Sequence, residues 1–100
     1  MSNSSEHMQV EFHSKASEAL FGMLRAFENA TSKVNRQKDE RLYQELKKKH
    51  ALTLERELQN IGSAILAKHH RDIHLAGTDQ VFFQLIKDYM HRFNQKVAGL

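Results

Sequence analysis

The chain has 100 residues, with 15 Lys plus Arg against 12 Asp plus Glu, seven His, and neither Cys nor Pro. Its net charge of +3 with His neutral gives a pI near 9.3. That length suits one small domain, which as a compact monomer buries roughly two-thirds of its unfolded surface. The lack of Cys excludes disulfides and thiolate metal sites, no apolar run is long enough to span a bilayer, and +3 is too small a charge to specify a nucleic-acid partner.

Without proline, no position loses its backbone donor or clashes with the preceding turn, so long helices are permitted throughout. Leu, Ala, Glu, Lys, Gln and Arg dominate the middle of the chain, and alternating β-branched runs are absent. The expected fold is all-α: a hairpin of two long amphipathic helices plus a third C-terminal helix, packed as a small bundle and dimeric.

Residues 1–7 are polar and lack the basic and apolar regions of a signal peptide, so a flexible tail and a cytoplasmic location are expected. Residues 8–100 read as a single helical domain. The first amphipathic segment runs from about Met8 to Val34 and places Phe12, Ala16, Ala19, Leu20, Met23, Leu24, Phe27, Ala30 and Val34 within an arc of roughly 120°. Phe21 points away from that arc, towards a second contact or simply towards solvent.

Residues 35–41 read Asn-Arg-Gln-Lys-Asp-Glu-Arg, with no apolar side chain. A tight polar turn and a solvated stretch of one continuous helix both fit this composition. The turn is expected, because folding back buries both stripes within the chain.

The second segment runs from about Lys38 to His70, with a stripe of Leu42, Leu46, His50, Leu54, Leu58, Ile61 and Ile65. The average step of about 3.8 residues exceeds the 3.5 of a left-handed coiled coil, so packing against several partners is expected instead. Gly62 lies beside this stripe, where a glycine either allows a close helix crossing or, more often in water, simply costs stability. His50 lies on the stripe and is expected at the core edge with one hydrogen-bond partner.

Gly77 is a natural C-terminal stop, and Thr78 or Asp79 a natural N-cap for the last helix. That helix runs to about Val97 with an apolar arc of roughly 200°, wider than one neighbour needs. Either both earlier helices pack on it or part of it meets another chain. Phe82, Ile86, Tyr89 and Phe93 are therefore the candidate protein-interface anchors, since aromatic anchors often dominate interface energy.

Other chemistry is thinner. His70 and His74 are four apart and would share a helix face able to offer two nitrogens to zinc or nickel, but neither a third ligand nor the H-E-x-x-H pattern accompanies them. Arg36, Arg41, Lys47, Lys48 and Lys49 form the densest basic run, yet consecutive lysines spread around a helix and Asp39, Glu40 and Glu45 are interspersed. Glu55 with Glu57, or His13 with Glu18, make no convincing acid–base pair, and no phosphate loop or nucleophile elbow occurs.

No cofactor and no membrane partner are expected. The leading expectation is a non-enzymatic helical adaptor, inhibitor or regulatory protein acting by protein–protein interaction, and a homodimer. The alternative is a dimeric nucleic-acid-binding regulator using the basic run, and after it a metal- or pH-responsive histidine sensor.

Overall fold

The computed structural model describes residues 4–68 and 78–99. Three helices follow in order: α1 (Ser4–Thr31), α2 (Glu40–Lys68) and α3 (Thr78–Ala98). They pack against one another as a rod-shaped bundle of 55 × 18 × 17 Å, with no strand among the described residues. The hairpin and the third helix are those the apolar periodicity predicts.

Helix α1 begins at Ser4, ahead of the expected Met8. The Met8 side chain is fully buried, which holds the turn before it, and Glu6 in that first turn complements the helix dipole. The expected tail is thus already helical over residues 4–7. Phe12, Ala16, Leu20, Met23 and Phe27 continue the buried stripe, with Ala19 and Leu24 packed at its edge.

The chain turns over residues 32–39, as the polar composition of that stretch predicts. The last carbonyls of α1 are satisfied locally: the Thr31 hydroxyl donates to the Phe27 carbonyl at 2.8 Å, and the Ser32 hydroxyl to that of Asn29 at 2.9 Å. Asn35 organises the turn through Oδ1, which accepts from the backbone of Gln37 and Lys38 at 3.0 and 3.2 Å. The Asp39 carbonyl then accepts from Tyr43 N at 3.0 Å, opening α2. Val34 lies beyond the end of α1 but still packs on the core.

Helix α2 presents Tyr43, Leu54, Leu58, Gly62 and Ile65 to the core. Leu42, expected on the stripe, is 44% exposed and Tyr43 takes its place at 6%. The reason is angular: each four-residue step oversteps a helical turn by about 40°, so Leu42 and Leu58 lie about 160° apart around the helix. Both cannot face one core. Helix α3 contacts both earlier helices and buries Phe82, Tyr89, Phe93 and Val97.

Candidate functional site

A groove of about 570 Å³ lies on the surface between α2 and α3. Gly62 creates it. A Cβ built on Gly62 would sit 3.6 Å from the Phe82 ring and 3.8 Å from the Phe12 ring, so the bare backbone lets these two aromatics close over α2. Phe12 and Phe82 stack with centroids 5.2 Å apart and planes at 20°, a favourable offset contact between α1 and α3.

Packing Phe82 inward leaves Phe83, one residue and about 100° further round, on the outside. It is 60% exposed at the groove, with the Lys87 ammonium 4.5 Å from its ring centroid. Ile86 and Met90, both half-buried, and Leu66 from α2 complete the apolar lining. The polar rim is unequal: Glu55, Gln59 and Ser63 stand on α2, while Lys87, His91 and Asn94 stand on α3. The groove is therefore an apolar trough with a carboxylate on one wall and a cationic side chain on the other.

Of the four anchors expected on α3, Ile86 is half-buried at the groove and Phe82 lies at its floor. Phe82, Tyr89 and Phe93 are buried in the chain's own core. The wide apolar arc exists because two helices share it: Phe82 and Tyr89 meet Phe12 of α1, Phe93 meets Phe27 of α1 edge-on at 6.2 Å, and Phe82 also lies over Gly62 of α2. Phe83 and Met90 join Ile86 on the open side, a selection that adjacent apolar residues on one helix cannot reveal without knowing the helix phase.

Tyr89 also anchors a polar lock. Its hydroxyl lies 2.8 Å from His13 Nδ1 and 3.2 Å from Ser17 Oγ, and the Arg92 guanidinium sits 4.9 Å from its ring centroid. His13, which forms no pair with Glu18, thus serves to satisfy a buried phenol across the α1–α3 contact. No buried side-chain nitrogen or oxygen lacks a partner among the described residues. His50 sits half-buried, as its place on the stripe predicts; its Nδ1–H donates to the Leu46 carbonyl at 2.7 Å and its ring meets Phe27 edge-on.

The basic run does not form one surface. The Arg36 guanidinium covers the Tyr43 ring at 4.7 Å, and Arg41 pairs with Glu45 at 3.5 Å. Lys48 and Lys49 share an open recess of about 390 Å³ with Leu52 and Arg56, which Lys47 does not line. Arg56 was not singled out from the sequence, because it lies a full two turns beyond the lysine run. His70, His74 and the break at Gly77 lie outside the described residues. Among those described, no group of three potential metal ligands occurs, and no helix is long and apolar enough to cross a membrane.

Comparison with protein-family models, curated proteins and solved structures gives no match.

Proposed function

We propose that this protein is a non-enzymatic helical adaptor, inhibitor or regulatory protein that docks a partner protein in the α2–α3 groove, and that it works in the cytoplasm as a homodimer. The observation that supports the docking is the trough itself: Phe83, Ile86 and Met90 offer apolar contacts on the open side of α3 while Phe82 beneath them is buried. An amphipathic helix laid along such a groove uses anchors at i, i+3 and i+7, the spacing that Phe83, Ile86 and Met90 themselves present. A carboxylate on the incoming segment would face Lys87.

The test is quantitative affinity purification of the tagged chain from the cells that make it, beside a Phe83→Glu variant and a Lys48→Glu, Lys49→Glu variant. Phe83 is exposed, so its replacement leaves the fold intact, as circular dichroism would verify. The expected result is a partner depleted at least tenfold by Phe83→Glu and retained by the lysine variant. Equal recovery by all three proteins, or no enriched partner, would sink the docking reading.

The alternative of a dimeric nucleic-acid-binding regulator draws on the recess where Lys48 and Lys49 meet Arg56. It requires affinity for duplex DNA or RNA that falls steeply with salt and disappears in the lysine variant. Absence of binding at low salt removes it.

A further inference from the structure

We infer that the α2–α3 groove takes an amphipathic helix whose two flanks carry opposite charge, basic towards α2 and acidic towards α3, and that the two walls thereby fix the direction in which the helix lies. The inference rests on the docking reading above and names the partner surface which that reading leaves open.

The walls bring opposite charge to one level of the groove. Helices α2 and α3 run antiparallel: on α2, Lys68 meets Glu11 and His50 meets Phe27, whereas on α3, Phe82 meets Phe12 and Phe93 meets Phe27. Phe82 lies over Gly62 and marks the crossing. At about 1.5 Å per residue from that crossing, Glu55 stands about 10 Å along the α2 wall, with Lys87 about 8 Å and His91 about 14 Å along the α3 wall. Carboxylate and ammonium therefore flank the same stretch of trough.

They do not pair with each other. Among the described residues, the half-buried Glu55 makes no ion pair or side-chain hydrogen bond, and the Lys87 ammonium meets only the Phe83 ring. Elsewhere such groups find partners within the chain: Glu11 with Lys15 and Lys68, Arg41 with Glu45, and Gln84 with Asp88. A half-buried carboxylate has lost part of its water shell, so an incoming cation finds it a better partner than a fully solvated one. The gap that keeps Glu55 from Lys87 is the space the occupant fills.

That occupant needs apolar anchors beneath, for Phe83, Ile86 and Met90, and a charge on each side. A helix about 10 Å across has this pattern: with apolar residues at a and d of a seven-residue repeat abcdefg, positions e and g flank the stripe on opposite sides. Lysine on one flank and glutamate on the other satisfy both walls. Two acidic flanks set a carboxylate against Glu55, and two basic flanks set an ammonium against Lys87, the repulsion by which an interface rejects a wrong partner. Turning a helix end for end exchanges its flanks, so an oppositely flanked helix fits in one direction only.

Fluorescence anisotropy of the full chain with three labelled peptides tests this. Each peptide carries three heptads with leucine at a and d, and they differ at e and g: glutamate with lysine, glutamate at both, or lysine at both. The wild type is expected to bind the oppositely flanked peptide about fivefold or more tighter than either of the others, a margin that shrinks as salt rises. Glu55→Lys makes both walls basic and moves the preference to the glutamate-flanked peptide. Lys87→Glu makes both acidic and moves it to the lysine-flanked one; Lys87 is exposed, so this variant keeps its fold, as circular dichroism verifies. Affinity indifferent to flank charge overturns the inference, as do a preference that neither wall variant moves and the failure of all three peptides to bind at micromolar concentrations. If the three bind equally and Phe83→Glu releases them all, the docking reading stands and this inference alone falls.

Discussion

The two ends of the bundle both rest on a buried phenylalanine of α1, but they are closed differently. At the turn end, Phe27 is ringed edge-on by Tyr43 at 5.5 Å, His50 at 5.5 Å and Phe93 at 6.2 Å, so α2 and α3 both deliver rings to one centre. At the other end, Phe12 stacks flat on Phe82 against α2, at the place where Gly62 has no side chain. The first arrangement fills its space with side chains. The second lets a backbone come close and leaves a groove outside it. An end closed by rings is filled by side chains, whereas an end closed over a glycine brings backbone and ring together, and a recess opens beside each.

This contrast can be broken at its strongest point. Phe27→Ala removes the centre of the turn-end cluster and is expected to cost about 3–5 kcal/mol, a large part of the stability of a small domain. Thermal unfolding followed by circular dichroism should show a melting temperature lower by more than roughly 10 °C, and a smaller shift would mean that the cluster collapses around the gap.

At the opposite end a substitution should help. Gly62→Ala places a methyl at ordinary contact distance, 3.6 Å from Phe82, and removes a poor helix former. The expected gain is about 0.5–1 kcal/mol, read as a rise of roughly 3–6 °C. A loss of stability would show that Phe82 cannot tolerate even that contact and that the glycine is required for close packing.

The smallest effect concerns the ion pair between α1 and the end of α2. Lys68 Nζ donates to Glu11 Oε1 at 3.2 Å, and this hydrogen bond, opposed by partial desolvation and aided by the charges of Lys68 and Lys15, holds the Glu11 carboxyl below its usual 4.5. Because the folded-state value is the lower one, the contribution is present above pH 4.5 and is lost as the pH falls through the lowered value. Lys68 is largely exposed, so Glu11→Gln should lower the melting temperature at pH 7 by only roughly 1–3 °C, and the difference should vanish once the Glu11 carboxyl is protonated. A difference that persists in acid would assign the effect to packing of the Glu11 stem instead.

Much of this architecture is legible in the residues. The stripe from Phe12 to Phe27 declares its buried face because its spacing tracks the helical period, and the polar run at 35–41 marks the return of the chain because nothing in it has a reason to be buried. Gly62 and His50 also fall where their surroundings predict. The candidate site is less legible. Phe82 and Phe83 are chemically the same, Leu42 and Tyr43 are both large side chains with an apolar body, and hydrophobicity cannot say which of two neighbours turns inward.

Helix content, the number of segments and the place of the turn were determined by the sequence itself, since each follows from local backbone freedom and the period of apolar residues. The phase of α2 and α3 was decided only by tertiary packing. Tyr43 replaces Leu42, and Phe82, Tyr89 and Phe93 turn inward, because each helix must satisfy two neighbours at once and small angular steps accumulate along nearly thirty residues of α2. The open faces are what that compromise leaves: Phe83, Ile86 and Met90 beside the groove, and Phe21 beside the C-terminal end of α3.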